Sequence, residues 1–194
     1  MSFRPLRSQY PETDRKAFDM GTLLYSAAIS LDGFVAGPGG DMSWLAPYTG
    51  PNPDADALAA ETGALLVGRR TFCGDDPYRG TEGEGKAFGG GWDGPQVVLT
   101  RQSLPPVPGV TYSASLTEGV ALAQDAAGEK TVNVLGASVG RACIEAGLLD
   151  AVEVMVMPVL LGDGVRLFSR PGPPVRLELT AQRGTSLRYR VVRS

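Results

Sequence analysis

The sequence predicts a single α/β domain whose central mixed sheet is mostly parallel and ends in an antiparallel C-terminal hairpin. Three short runs of apolar and β-branched residues, at residues 23–29, 64–67 and 131–135, predict buried strands. Helical patterns lie between these runs, and strands that alternate with helices form parallel sheets. Two later runs, at residues 175–179 and 187–192, predict the antiparallel pair.

Residues 1–20 and residues 21–194 differ in character. The first segment is polar and charged with little periodicity, which predicts an N-terminal arm that is mobile or lies across a neighbouring subunit. The rest forms the domain. Residues 23–29 are its predicted central strand, because their small and apolar side chains indicate burial on both faces. A glycine-rich loop follows at residues 37–41, and such a loop can open and close over a pocket.

Proline and glycine signals set the boundaries of the remaining elements. A helix over residues 52–62 follows several breakers and carries Pro53 in its first turn. Residues 80–94 are rich in glycine and predict a long, mobile surface loop. Two further strands are predicted at residues 96–100 and 110–113. Helices are predicted at residues 116–127 and 142–146, because Gly128 and Gly147 mark their ends. The longest apolar strand is predicted at residues 151–161, where Pro158 marks a bulge or an end.

Composition and charge exclude several classes of partner. The chain has 18 basic and 21 acidic side chains, a net charge of −3 and no long Lys/Arg run, so binding to nucleic acid or to an anionic membrane is not expected. No run resembles a signal peptide or approaches the roughly 18 apolar residues of a membrane span. Cys73 and Cys143 lie far apart and support neither a disulfide scaffold nor a cysteine-rich zinc site. These features predict a cytoplasmic protein.

The sequence contains no histidine. This absence excludes Ser-His-Asp and Cys-His catalysis, histidine metal sites and imidazole general bases. No metal site is predicted, and the chemistry is expected to come from carboxylates, hydroxyls or a cofactor.

Residues 131–140 have the pattern of a buried strand that runs into a glycine turn and a helix. The valines suit a pleated sheet, whereas Gly136 and Gly140 let the backbone pass close to a ligand. Ser138 can cap the helix, whose free N–H groups would face an anion. The stretch predicts a phosphate-binding turn, although an ordinary strand-to-helix turn without a ligand has the same short motif.

The strands at residues 64–67 and 96–100 both end in residue types that bind phosphate. Guanidinium groups supply charge and bidentate contacts, and hydroxyls and backbone N–H groups supply further donors. Surface arginines without a ligand are an equally good interpretation. The residues are Gly68, Arg69, Arg70 and Thr71 after the first of these strands, and Thr100 and Arg101 at the end of the second.

A glycine-rich segment at residues 80–86 superficially matches a nucleotide P-loop. No predicted strand precedes it, and Ala87 stands where the metal-binding Ser or Thr belongs. Glu82 and Glu84 would repel phosphate. A P-loop is therefore not predicted.

Short motifs that occur in a fixed order carry a resemblance to a known family. They are Ser-Leu-Asp-Gly at 30–33, Gly-Asp-Met-Ser-Trp at 40–44, Val-Gly-Arg-Arg-Thr-Phe at 67–72, Leu-Thr-Arg at 99–101, Leu-Gly-Ala at 135–137 and Pro-Val-Leu-Leu-Gly at 158–162. Over residues 21–193 the chain resembles the dihydrofolate reductase-like family, specifically the C-terminal reductase domain of bacterial riboflavin-biosynthesis (bifunctional deaminase-reductase) proteins. The resemblance implies a mixed sheet of about eight strands, flanked by helices, that binds NADPH across its carboxyl ends.

The resemblance also implies a set of cofactor-binding residues and favours NADPH over NADH. Ala28 and Trp44 match the positions that line the nicotinamide end, and Thr71 and Asp75 match other positions that contact the cofactor. Gly68, Arg69 and Arg70 match the turn that holds the pyrophosphate and the 2′-phosphate, and Arg101 matches the group near the 2′-phosphate. The pyrophosphate loop is matched by Gly136, Ala137, Ser138, Val139 and Gly140.

The sequence departs from the family at positions that hold the substrate. Leu135 stands where riboflavin reductases usually have a Glu, and residues 45–49 lack the acid that dihydrofolate reductases place after the tryptophan. The resemblance therefore does not identify the substrate. Residues 1–20 are too few for the zinc-binding deaminase module, so no such domain is expected before the reductase.

The predicted reaction is hydride transfer from NADPH to a polarised C=N or C=O carbon of a small, heterocyclic substrate, as in a 5-amino-6-(5-phosphoribosylamino)uracil reductase of riboflavin biosynthesis. Asp32 is the candidate proton donor or substrate anchor, because it follows the central strand beside the glycine-rich loop. A turn carboxylate that caps Gly33 or Phe34 fits equally well. A non-catalytic NADP-binding protein of the same fold is the alternative; a short-chain dehydrogenase is not expected, because no Tyr-x-x-x-Lys pair follows the glycine motif.

A homodimer is expected, because the reductases that the sequence resembles are commonly dimers. In the strand predicted at residues 151–161, three valines alternate with Glu153, Met155 and Met157, so one face is apolar. A sheet that continues across a two-fold axis could bury the second face and give the N-terminal arm a partner. Burial beneath the chain's own helices is the alternative.

Overall fold

A computed structural model describes residues 21–193. The N-terminal arm predicted at residues 1–20 lies outside the described residues.

The strands are β1 (Leu23–Ser30), β2 (Phe34–Ala36), β3 (Thr62–Gly68), β4 (Gln96–Leu99), β5 (Val110–Ser113), β6 (Thr131–Leu135), β7 (Ala151–Met157), β8 (Val165–Arg166), β9 (Leu177–Arg183) and β10 (Ser186–Val191). The helices are α1 (Pro53–Glu61), α2 (Arg69–Phe72), α3 (Leu116–Ala127) and α4 (Ala137–Glu145), and short 3-10 helices span Pro38–Gly40, Ser43–Tyr48 and Ala87–Gly90.

Eight of the strands form one sheet in the order β5-β4-β3-β6-β1-β7-β10-β9. Every pair from β5 to β7 is parallel. β10 runs antiparallel to both β7 and β9, and β2 and β8 form a separate antiparallel pair. The predicted single α/β domain with a mixed sheet and an antiparallel C-terminal hairpin is confirmed, and β1 lies in the interior of the sheet as predicted.

Helices cover both faces of the sheet. On the first face, Tyr25, Val132 and Val134 belong to a core that includes Ala123 of α3 and Cys143 of α4. On the second face, Leu24 and Ala151 form a buried cluster with residue 58 of α1. Side chains alternate between the two faces along a strand, so the even-numbered residues of β1 lie on the α1 side.

Local signals explain where the helices begin and end. Asn52 caps α1, because its side-chain oxygen accepts from the amides of Asp54 and Ala55 at 3.0 and 3.2 Å. Ser115 caps α3 in the same way through the amide of Glu118. α3 stops at a glycine with a φ of 59°, a conformation that favours this residue.

The strand predicted at residues 151–161 is shorter than expected. β7 ends at Met157, because Pro158 has no N–H to donate to a neighbouring strand. β7 has seven residues and β1 has eight, so the prediction that the longest strand lies here is wrong.

β7 also lacks the uncovered apolar face on which the dimer prediction rested. Val152 and Val154 are buried in the core that packs against α3 and α4, and Val156 packs against the same core. The alternative, burial beneath the chain's own helices, is what the structure has. The basis of the dimer prediction is therefore wrong.

Residues 80–94 form turns and one short 3-10 helix. The amides of Gly80 and Gly85 donate to Glu84 and Asp76, so the glycine-rich segment is folded on carboxylates. In the described chain it follows α2 and turns instead of a strand, which agrees with the rejection of a P-loop. Among residues 21–193, no helix has the length and apolar character to cross a membrane, and no cluster of potential metal ligands occurs.

Candidate functional site

The candidate site lies at the carboxyl ends of the central parallel strands. β6 lies between β3 and β1 in the sheet although it follows both in sequence, so the strand order reverses at this point. In open α/β sheets, ligands bind in the crevice outside such a reversal. α2 follows β3 directly and α4 follows β6 directly, so two strand-to-helix turns meet at the crevice.

Gly136 and Thr71 bring these two turns into contact. Gly136 forms the N-cap of α4 with a φ of 98°, a conformation that L side chains rarely adopt. A Cβ atom at this position would overlap Thr71 Oγ1. Only glycine therefore fits here, and the two turns that the sequence marked separately form one surface.

A hydrogen bond joins the same turns. Arg70 Nη2 donates to Ser138 Oγ over 2.6 Å. Ser138 does not cap α4 as predicted, since the helix has no side-chain cap. Within residues 21–193, the amides of Ala137 and Ser138 donate to no acceptor. Free N–H groups at a helix start favour an anion, so the first two residues of α4 can contribute donors to the crevice.

Val139 and Gly140 contribute to the packing of α4. Their amides donate to Gly136 O at 3.1 and 3.0 Å. Both residues are buried, and a Cβ atom at Gly140 would lie 2.7 Å from the ring of Tyr25. Gly140 thus allows α4 to lie close to β1, while Ala137 and Ser138 line the crevice.

Three arginines lie at this edge of the sheet without a counter-ion. Arg69 and Arg70 begin α2, and Arg101 lies two residues beyond β4, the neighbour of β3. Across the described part of the chain, none of the three forms an ion pair. Thr100 shapes the turn before Arg101, because its hydroxyl accepts from Gln102 N at 3.0 Å. The positive charge of this edge is available to an anionic ligand.

A cavity of about 360 Å³ opens beside the start of α4. Its two guanidinium groups come from Arg141 and Arg166, which were not among the residues predicted from the sequence. Arg141 lies three residues after Ser138 on α4, a spacing that places both side chains on one helical face. The sequence around Arg166 does not indicate its place in the cavity, because that place depends on the pairing of β8 with the distant strand β2. This pairing brings the Arg166 guanidinium over the ring of Phe34, 4.5 Å from the centroid. The lining residues are Phe34, Ala137, Ser138, Arg141, Gly162, Asp163, Gly164, Val165, Arg166 and Ser169.

Asp75 holds the segment that carries Trp44. Its carboxylate accepts from Met42 N at 2.9 Å and from Arg79 Nη2 at 2.6 Å. Trp44 Nε1 is buried, and no acceptor for it exists among the described residues. Ala28 is half-buried on the α1 side of β1. A buried donor without a partner is unusual in a folded protein and marks a place where a bound polar group would fit.

The hydrogen bonds of Asp32 argue against a role as proton donor, whereas a role as substrate anchor stays a prediction. Its carboxylate accepts from Ser30 Oγ at 2.7 Å, Leu161 N at 3.0 Å and Gly162 N at 2.7 Å. The bond from Ser30, followed by that from Leu161, lowers the pKa of Asp32 to about 2, so the group is ionised at neutral pH. Asp32 instead clamps the loop after β7 to the end of β1. It does not cap Phe34 either, whose amide donates to Ser30 Oγ.

A family model described as the RibD C-terminal domain matches residues 22–189. The chain belongs to this family. The resemblance inferred from the motifs is thus confirmed, and this RibD C-terminal domain protein is a member of a reductase family. No curated protein matches the sequence.

Solved structures share the fold of this RibD C-terminal domain protein. Acinetobacter baumannii RibD is 21% identical with a TM-score of 0.62, over 89% of this chain and 58% of that one. A Thermotoga maritima diaminohydroxyphosphoribosylaminopyrimidine deaminase/5-amino-6-(5-phosphoribosylamino)uracil reductase is 16% identical with a TM-score of 0.58, over 89% and 56%. An Enterococcus faecalis dihydrofolate reductase complexed with NADP(H) and RAB-propyl is 18% identical with a TM-score of 0.51, over 89% and 96%. The chain therefore spans little more than half the length of the first two proteins.

The residues present fit an anionic dinucleotide. The crevice offers a glycine that admits close backbone approach, free helix N-terminal amides and arginines without counter-ions. The buried Trp44 Nε1 adds a donor that lacks an acceptor. This combination is the complement of a ligand with phosphates at one end and a polar aromatic ring at the other.

Proposed function

We propose that this protein is a cytoplasmic, NADPH-dependent reductase that acts on a C=N or C=O bond of a small heterocyclic substrate related to 5-amino-6-(5-phosphoribosylamino)uracil. The contact between Gly136 and Thr71, flanked by arginines without counter-ions, carries the proposal. When bound, NADPH supplies a hydride from nicotinamide C4 to the substrate carbon, and the substrate nitrogen or oxygen takes a proton.

The arginines and the start of α4 would hold the phosphates. Arg69, Arg70 and Arg101 are assigned to the 2′-phosphate, because they cluster after β3 and β4. The pyrophosphate is assigned to the amides of Ala137 and Ser138. Arg141 and Arg166 in the adjoining cavity add charge on the same side.

The nicotinamide end is assigned to Ala28 and Trp44. Ala28 presents only a methyl group on the α1 face, which leaves space for a flat ring. Asp75 positions Trp44 through the amide of Met42 and keeps this segment close to α2. The segment would cover the reacting atoms and exclude water from them.

Absorbance at the nicotinamide band tests the activity directly. The purified protein is mixed with NADPH and, in separate reactions, a ribosylaminopyrimidine, a pterin and a quinone. We expect NADPH oxidation with the ribosylaminopyrimidine. If NADPH binds but is oxidised with none of the three substrates, the second candidate is favoured, a non-catalytic NADP-binding protein. The hydrogen-bonded, ionised state of Asp32 supports this second candidate.

Cofactor choice gives a sharper test of the site. If the three arginines hold the 2′-phosphate, NADPH should bind at least about tenfold more tightly than NADH, or about 1.4 kcal/mol. Arg101→Ala should weaken NADPH binding by about that factor and leave NADH binding unchanged. Arg183→Ala, which removes an exposed arginine paired with Asp54 on α1, is the control and should change neither titration. Equal affinities of the wild-type protein for NADPH and NADH would refute the assignment.

A homodimer is also proposed, now on a different basis. β9 lies at the edge of the sheet, where its backbone groups are open to a second copy. Leu177 at its start is 45% exposed, and Val192, whose amide donates to Arg176 O, is 43% exposed. Light scattering at micromolar concentration should give about twice the 20.3 kDa of one chain, and a mass of one chain would contradict the dimer.

A further inference from the structure

The cavity beside the start of α4 has two walls that come from distant parts of the chain. One wall is α4, which contributes Ser138 and Arg141. The other is the two-stranded ribbon of β2 and β8, in which Phe34 lies opposite Arg166. Both arginines are exposed, so a molecule from solvent can reach them. The volume of about 360 Å³ corresponds to about a dozen water molecules at roughly 30 Å³ each, which is more than a lone phosphate group fills.

The Arg166 guanidinium is held in position but has no counter-ion. It lies over the Phe34 ring, and this cation–π contact orients it. It forms no ion pair with any residue from 21 to 193. The carboxylate of Asp163 lines the same cavity, yet it accepts from Gly164 N at 2.7 Å and leaves the guanidinium unpaired. The N–H donors of Arg166 are therefore available to an anionic ligand.

Backbone contacts fix the ribbon wall that carries Arg166. Gly164 lies so close to β2 that a Cβ atom at this position would overlap Ala36 O. Just before it, Gly162 N donates to the Asp32 carboxylate at 2.7 Å. A binding group on a fixed frame loses little conformational freedom when a ligand arrives. The wall is thus preorganised for binding.

Arg141 supplies the second guanidinium from the opposite wall. Its one ion pair among the described residues, with Glu145 at 3.8 Å, joins two side chains that are each about half exposed. Such a surface pair contributes little and does not prevent Arg141 from binding another anion. Two guanidiniums that face one cavity suit a phosphate group, because each can bind its oxygens through paired N–H groups.

The cavity lies beside the crevice assigned to NADPH. In the sheet, β6 separates β3 from β1 and β7. The arginines assigned to the 2′-phosphate follow β3 and β4, whereas the ribbon wall is formed by β2, which follows β1, and β8, which follows β7. The cavity lining and the residues assigned to NADPH have only Ala137 and Ser138 in common. An anion in the cavity can therefore bind next to the cofactor.

We propose that this cavity is a second anion site, which binds the phosphate group of a small phosphate monoester. The proposal goes beyond the proposed function and does not depend on NADPH. Arg141 and Arg166 bind the phosphate. Asp163 repels it, but accepts hydrogen bonds from hydroxyl groups in the rest of the ligand, and Ser169 adds a further hydroxyl to the lining. The lining thus complements a phosphate attached to a hydroxylated carbon skeleton.

Heteronuclear NMR of the full chain tests the proposal. Glycerol 3-phosphate, inorganic phosphate and glycerol are titrated separately in a phosphate-free buffer, and the Nε–H signals of Arg141 and Arg166 are followed. Both phosphates should shift these signals and glycerol should not. Tighter binding of glycerol 3-phosphate supports the monoester, whereas equal affinities support the phosphate site and overturn the role of Asp163. Signals that neither phosphate shifts would overturn the proposal.

Arg166→Gln should weaken the binding of glycerol 3-phosphate by at least about tenfold. Arg176→Gln is the matched control, because it removes the same charge from an exposed arginine that lies before β9 and forms no ion pair within residues 21–193. This control should keep the affinity. An equal loss in both variants would mean general attraction between charges and would overturn the proposal. If Arg166→Gln does not fold, Arg141→Gln provides the same comparison.

A titration in the presence of NADPH distinguishes this site from the cofactor site. Glycerol 3-phosphate should bind with an affinity within about threefold of that without NADPH, because neighbouring anions repel each other only modestly in water and salt. Displacement of glycerol 3-phosphate by NADPH would show that the cavity belongs to the cofactor, and would overturn the proposal. If glycerol 3-phosphate binds and NADPH does not, the proposed function fails and the second anion site stands.

Discussion

Gly136→Val should lower the affinity for NADPH by about 100-fold, or about 2.8 kcal/mol. A β-branched side chain at this position would overlap Thr71 Oγ1 and separate the two turns that form the crevice. It would also force a non-glycine residue to adopt a φ of 98°. Both effects displace the start of α4, whose amides are the proposed pyrophosphate donors. Isothermal titration of NADPH into the purified variant measures the loss.

Gly128→Val is the control that distinguishes damage to the NADPH site from a general effect of backbone strain. Gly128 also has a positive φ, 59°, but it ends α3 and a Cβ atom there would meet nothing. This control should lose stability and keep its affinity for NADPH. Wild-type affinity in Gly136→Val, or an equal loss in both variants, would place the cofactor elsewhere.

Glu153→Leu should destabilise the protein by about 3 kcal/mol. Glu153 is 2% exposed, and its removal takes from Arg188 the closer of its two carboxylate partners. Burial alone would lower the pKa of Arg188, but Glu153 and Glu61 outweigh it and raise that pKa. In the variant Glu61 remains, and an arginine side chain stays charged at neutral pH. The ion pair from Arg188 Nη2 to Glu61 at 2.8 Å remains in the variant. We therefore expect a loss of unfolding free energy at the lower end of the range for a broken buried ion pair. Urea unfolding followed by circular dichroism measures the change.

Two further variants check the reason for this loss. Glu178→Leu removes a carboxylate whose pair with Arg190 is exposed, so its effect should stay below about 1 kcal/mol. The double variant Glu153→Leu with Arg188→Met should regain much of the lost stability, because no buried charge is left without its partner. If the double variant is less stable than Glu153→Leu, the buried charge is not the cause.

Local signals predicted most of the fold correctly. The bounds of β5 and α3 agree with the prediction, because turn residues and a capping serine mark their ends. β7 was extended too far, because the apolar run continues past Pro158 although pairing stops there. The parallel order could be predicted because strands alternate with helices along the chain.

The site was only partly predictable, because its geometry depends on residues far apart in sequence. The phosphate-binding residue types after β3 and β6 were visible, but the overlap of Gly136 with Thr71 follows only from the adjacency of those strands. Arg166 enters the cavity through a pairing with β2. The hydrogen bonds that Asp32 accepts could not be predicted, because the amides it binds lie 129 and 130 residues away.

The clamp formed by Asp32 has a consequence for protein engineering. It grips the loop after β7 by the amides of Leu161 and Gly162, which every residue except proline possesses. The adjoining backbone is fixed as well, since Leu167 N donates to Gly33 O at 3.0 Å. Asp163, Val165 and Arg166 are exposed between these two anchors. A library randomised at these three positions would vary the cavity wall while the loop keeps its course, which makes this wall a place to retune ligand preference.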